Sequence, residues 1–154
     1  MIEYFYEAEF KAFNENDIRY LVIGGIAVNL YGLQRLTRDL DLMIDLSANQ
    51  LEKFIEVVTG LGYFTKVPQN EWPNLTAVCF RHRSDEMKSI DVFLKNPIDF
   101  SDAYSKKEMF NIKNKFKIAV VSLQDLLTMK DKSGRVRDWV DIGSLKRMRD
   151  LKEK

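Results

Sequence analysis

The chain is expected to fold as an α+β domain in which a mixed β-sheet is flanked by helices. Three observations lead there. Short apolar or alternating runs at 18–23, 39–45, 62–67, 75–82, 88–95 and 116–121 have the length and period of strands. Stretches with helical spacing fall between them, most clearly at 2–16 and from Ser47 to about residue 60. Turn signals pair neighbouring strands as hairpins in some places and helices separate them in others, which suggests strands of both directions in one sheet.

Taken in order, Ile2, Phe5, Ala8 and Ala12 form one stripe of an amphipathic helix over 2–16, and Asn14 to Asp17 turn the chain into the first strand. Gly25 to Tyr31 reads as a short helix closed by Gly32. Ser47 with Gln50 three residues later reads as a capping box for a helix whose Leu51, Phe54, Ile55 and Val58 repeat at i, i+3, i+4, i+7. Gly60 or Gly62 ends it. A Pro/Asn-rich loop at 68–74 and a charged turn at 83–87 separate the next strands. Residues 99–110 read as a short helix or an irregular segment. Ser122, with Asp125 at its third position, caps a helix that Ser133-Gly134 breaks, and a last helix runs from about Val136 towards residue 151.

At 154 residues the chain is expected to be one minimal domain, with its core at about 18–145 and a basic helical segment at 122–154. No apolar run approaches the roughly 20 residues a membrane span requires. The acidic, aromatic start, MIEYFYEAEF, has no signal-peptide pattern, and a single cysteine, Cys79, excludes an internal disulfide and a cysteine-based zinc site. These features predict a cytoplasmic protein without membrane partners. The net charge of +1 hides an asymmetry: residues 1–102 sum to −6 and residues 103–154 to +7. The basic third would suit a polyanion such as RNA or a nucleotide triphosphate, or simply form a solvated helical surface.

Chemistry concentrates at 20–45, YLVIGGIAVNLYGLQRLTRDLDLMID. A strand that ends in Gly24-Gly25 and opens a helix lets backbone N–H groups approach phosphate closely. Asp39 and Asp41 stand at i and i+2 of the next strand and therefore share a face, with Leu40, Leu42 and Ile44 on the other. Two carboxylates so placed repel unless a cation joins them, and their hard oxygen donors suit Mg²⁺. Asp91, in SIDVFL, points away from the apolar face formed by Ile90, Val92 and Leu94. If its strand neighbours 39–45, three carboxylates meet, as a two-metal site for phosphoryl transfer requires. His82 reads as a surface strand residue, Cys79 as a small core residue, Trp72 as a loop anchor, and Asp45 as part of the strand-to-helix turn.

The order Gly24-Gly25-x-Ala27, Tyr31-Gly32-x-x-Arg35-x-Thr37-x-Asp39-x-Asp41 resembles the signature of the polymerase-β-type nucleotidyltransferase superfamily, in particular its minimal AbiEii-like branch related to type IV toxins. Asp91, Lys130 and Arg135-x-Arg137-Asp138-x-x-Asp141 extend the resemblance, with Arg137 where the family more often has lysine. The resemblance implies a nucleotidyltransferase-like fold in which Gly24, Gly25, Arg35, Thr37 and Lys130 contact an NTP. It also implies that Asp39, Asp41 and Asp91 bind two Mg²⁺ ions, Asp91 doubling as base or bridging ligand. The implied reaction moves an NMP from the NTP to a hydroxyl of RNA (tRNA above all), of a small molecule such as an antibiotic, or of a protein. The C-terminal substrate domain of longer relatives is expected to be missing, so the acceptor site would be built from the basic tail, shared with a protein partner, or absent. The competing expectation is a non-catalytic nucleotide-binding module with a regulatory or toxin–antitoxin role.

Overall fold

The computed structural model describes residues 2–34, 36–133 and 136–152. Its strands are β1 (Tyr20–Ile23), β2 (Leu40–Ile44), β3 (Tyr63–Phe64), β4 (Ala77–His82), β5 (Ser89–Phe93), β6 (Glu108–Ile112) and β7 (Phe116–Val120). They form one sheet in the order β3-β4-β5-β2-β1-β7-β6. The β1–β7 and β2–β5 pairs are parallel and the other four are antiparallel, so the sheet is mixed as the sequence predicts.

The helices are α1 (Ile2–Phe5), α2 (Glu7–Glu15), α3 (Gly24–Leu30), α4 (Ala48–Gly60), α5 (Phe100–Ser105), α6 (Leu123–Ser133) and α7 (Val136–Lys152). The expected 2–16 helix is interrupted at Tyr6, whose φ of −111° and ψ of 24° are not helical. The 68–74 loop contains a 3-10 helix, Gln69–Asn74, in which the buried Trp72 donates its indole N–H to Val67 O at 3.1 Å and so anchors the loop. Residues 99–110 divide into α5 and the start of β6, an edge strand absent from the sequence expectations.

Register sorts the side chains. Leu40, Leu42, Ile90, Val92, Val78 and Phe80 are cross-strand partners on one face, and Phe80 meets Phe54 of α4 edge-on. Phe10 and Phe13 of α2 pack on Tyr20 of β1 on the same side. This aromatic layer is one side of the core, whose burial supplies the main stabilising term; Leu21, Met43, Ile26 and Leu126 are buried with it in the same cluster. The opposite face carries Asp41, Asp91 and Cys79 in one cross-strand row, Asp41 partnering Asp91 and Asp91 partnering Cys79.

Two local expectations need correction. Ser47 precedes α4 but makes no side-chain cap; Gln50 instead accepts from Arg19 N–H at 2.9 Å and donates to Asp17 O at 3.2 Å, tying α4 to the entry of β1. His82 is half-buried rather than a plain surface residue. Its Nε2 lies 2.8 Å from Leu61 O and its Nδ1 accepts from Ser84 N–H at 3.1 Å, so the ring clamps two turns together. Ser122 does cap α6, its Oγ accepting from Asp125 N–H at 3.1 Å. Asp45 likewise serves the turn into α4, accepting from Ser47 N–H at 2.9 Å beside Arg19.

Candidate active site

The end of β1, the starts of β2 and β5 and the end of β4 meet at one edge of the sheet. Ile23, the residue before the glycine pair, is the register partner of Asp41. Gly24 begins α3 with φ of +70°, a left-handed conformation that glycine adopts without strain. A Cβ placed there would lie 2.2 Å from Asp41 Oδ2. A Cβ on Gly25 would lie 2.7 Å from Thr37 Oγ1. Both glycines are therefore required by close approach: the first to the Asp41 carboxylate, the second to Thr37. The two backbone amides and these side chains form one compact group.

The parallel β2–β5 pairing sets Asp91 directly beside Asp41. Asp39 lies one residue before β2 begins and is exposed, so it belongs to the flanking segment rather than to the ladder. Its field nevertheless reaches the same region. The buried Tyr6 hydroxyl is pushed well above the usual tyrosine range, first by burial and also by the charges of Asp39 and Asp41.

The donor set consists of carboxylate oxygens, the chemistry that Mg²⁺ selects. Asp41 and Asp91, adjacent and on one face, fit a hard divalent ion, with Asp39 as a third donor from the side. Among the described residues, no three His, Cys, Asp or Glu already enclose such an ion. The pair on the ladder is fixed, and Asp39 would have to close in.

A cleft of about 300 Å³ opens beside Asp91, on the side away from the glycine pair. Asp39, Cys79, Ser89 and Asp91 line it, together with Arg38, Arg81, Glu86 and Met87. Arg38 Nη1 approaches Met87 Sδ to 3.2 Å. Cys79 thus stands in the cleft rather than serving as a small core residue, with Sγ 3.3 Å from Ser89 Oγ. Burial pushes its thiol pKa up, and the hydrogen bond to Asp91 and that carboxylate's charge add to the shift.

Lys130 is buried in α6, and its Nζ lies 3.1 Å from the equally buried Asp141 of α7. Arg35 and Arg135, and the side chains of Arg137 and Asp138, lie outside the described residues. The residues that the sequence did not single out for the site include Tyr6, Ser89, Arg81 and Cys79. Ser89 shares the Asp91 face by strand alternation, whereas Arg81 and Cys79 reach it only through the β4–β5 register.

The fold has solved counterparts. The lincosamide antibiotic adenylyltransferase LnuA, in its lincomycin-bound form, superposes with a TM-score of 0.64 at 24% identity, over 95% of this chain and 96% of its own. The fold is that of the nucleotidyltransferases. An antigenic nucleotidyltransferase-like protein from Paracoccidioides brasiliensis matches with a TM-score of 0.61 at 18% identity, over 97% of this chain and 76% of its own. The antibiotic-resistance factor ANT(2'')-Ia matches with a TM-score of 0.59 at 12% identity, over 94% of this chain and 80% of its own. No protein-family model matches the chain, and neither does any curated protein sequence. Among the described residues, no helix is long and apolar enough to cross a membrane.

Proposed function

We propose that the chain is an Mg²⁺-dependent nucleotidyltransferase of the minimal AbiEii-like type, moving an NMP from an NTP to the hydroxyl of a small molecule. The observation that carries this reading is the side-by-side placement of Asp41 and Asp91, with the glycine pair on one flank and a cleft on the other.

The glycine-flanked turn into α3 would receive the triphosphate on its backbone amides. The acceptor would enter from the cleft beside Asp91, opposite the leaving group, as an in-line displacement requires. Asp91 would take the acceptor's hydroxyl proton; the acceptor oxygen then bonds to the α-phosphorus while the α–β phosphoanhydride bond breaks and pyrophosphate departs. Asp39, Asp41 and Asp91 would hold two Mg²⁺ ions, whose chemistry is to lower the hydroxyl's pKa and neutralise charge on the reacting phosphates. Lys130, paired with Asp141, would serve this scheme through the α6–α7 packing.

A small-molecule acceptor is favoured by the size of the cleft, at the low end of the range for small-ligand sites. LnuA, a lincosamide antibiotic adenylyltransferase, and ANT(2'')-Ia, an antibiotic-resistance factor solved in complex with adenylyl-2''-tobramycin, have the same fold. The basic C-terminal helix α7 packs on α6, and its Met148 lies near Gly32. That placement gives little support to RNA as the acceptor. The test is transfer of label from α-labelled NTPs to a panel of hydroxyl-bearing antibiotics and to tRNA. Label on a small molecule, lost in Asp91→Asn, supports the proposal; label on tRNA alone would replace the acceptor class, and transfer to nothing would reduce the chain to a nucleotide-binding module.

A further inference from the structure

The β2–β5 ladder stops at the Leu40–Ile90 pair. Beyond it, Arg38 and Asp39 have no regular secondary structure and no ladder to hold them beside Ser89. Tyr6 stands at this point. Its side chain is fully buried, and its hydroxyl accepts from Ser89 N–H at 3.2 Å. The same hydroxyl lies within hydrogen-bonding reach of two carbonyls, those of Arg38 and Ser89, the latter at 3.1 Å. A phenol has one proton, so one carbonyl receives it at a time. The hydroxyl thus bridges two segments where the strands no longer pair. Asp39 follows Arg38 directly, and Asp91 stands two residues after Ser89 on the same face.

The surrounding anchor does not depend on that hydroxyl. Glu9, buried one turn along, accepts from Tyr63 Oη at 2.6 Å and pairs with Lys88 Nζ at 3.0 Å. Lys88 also lies over the rings of Phe5 and Tyr6. These contacts fasten α2 to β3 and to the start of β5 on their own. Phenylalanine at position 6 would fill the same space and keep the ring contacts, losing only the bridge.

We propose that Tyr6 is a positioning residue whose hydroxyl sets the spacing of the Asp39 segment against Asp41 and Asp91, and so the site's affinity for the metal–nucleotide complex. The inference rests on the proposed function, since it assigns Tyr6 a role in that same site.

The test compares wild type, Tyr6→Phe and Tyr63→Phe in two measurements. One is calorimetric titration of Mg²⁺ into protein with NTP; the other is amide hydrogen exchange at Ser89 and Leu40. Tyr6→Phe is expected to raise the Mg²⁺ concentration for half-maximal nucleotide binding about tenfold, the usual scale for a partner that orients a metal ligand. It should also speed exchange at Ser89, whose N–H loses its acceptor. Tyr63→Phe removes a hydroxyl from the same helix anchor and should leave both readouts at wild-type values. An unshifted Mg²⁺ dependence in Tyr6→Phe overturns the inference, and so does an equal shift in Tyr63→Phe, which would mark a general packing effect. Wild type that binds no metal–nucleotide complex refutes the proposed function in the first arm, before any variant is compared, and the inference falls with it.

Discussion

Gly24 and Asp41 are fitted to each other so closely that a single methyl group on the glycine would lie 2.2 Å from the aspartate's Oδ2. The contact joins the turn that opens α3 to the carboxylate in the β2–β5 ladder. Gly24→Ala therefore meets two penalties. The left-handed backbone costs about 1–2 kcal/mol for any residue with a Cβ, and Asp41 must also move. Urea unfolding should show a loss of at least that size, and Mg²⁺-dependent NTP binding should fall more steeply than stability does.

Lys130 separates a structural from a substrate-binding role. Removing one member of a buried ion pair leaves the other charged and desolvated, at about 3–5 kcal/mol. Lys130→Ala should lose stability on that scale by denaturant unfolding. A double Lys130→Met/Asp141→Leu variant should recover most of it and still bind NTP with wild-type affinity. Weak NTP binding in the stable double variant would return Lys130 to the phosphates.

Cys79 is the chain's one cysteine, so its alkylation rate reports on the cleft without interference. Its thiol is held above the ordinary range by burial, and by its hydrogen bond to Asp91 and that residue's charge. Asp91→Asn removes the charge, and the thiolate, which is the reactive form, becomes more populated. Iodoacetamide labelling at pH 8 should therefore be faster in the variant than in wild type. An unchanged rate would mean that the two side chains do not sense each other.

Buried phenols predict alkaline sensitivity. Burial pushes Tyr20 up to about 12, and Tyr6, Tyr31 and Tyr63 are raised further, in each case with desolvation as the largest cause. Above the usual tyrosine pKa of about 10 the unfolded chain gives up protons that the folded chain keeps, so stability falls as pH rises. The unfolding midpoint in urea should be unaffected by these groups up to about pH 9.5 and should drop steeply between about pH 10 and pH 12.

Much of the fold was legible because apolar period and burial agree. Leu40, Leu42, Ile90 and Val92 face the core, which leaves Asp41 and Asp91 together on the other face once the strands pair. Strand β6 was missed, although Lys113 and Asn114, both at positive φ, make the turn that joins it to β7. The run Met109-Phe110-Asn111-Ile112 before that turn was the available signal, and its edge position left it half-exposed and weakly patterned. Cys79 was misplaced for a different reason. The β4–β5 turn was visible but its register was not, and a slip of one residue would put Cys79 on the core face. Tyr6 was invisible because its partners are more than 30 residues away along the chain.

The most direct test of the central claim is calorimetric binding of the four NTPs, with and without Mg²⁺, to wild type and to Asp39→Ala/Asp41→Ala. The account predicts binding that requires Mg²⁺ and disappears in the double variant. Wild type that binds no NTP in Mg²⁺, or a double variant that binds as wild type does, would contradict it.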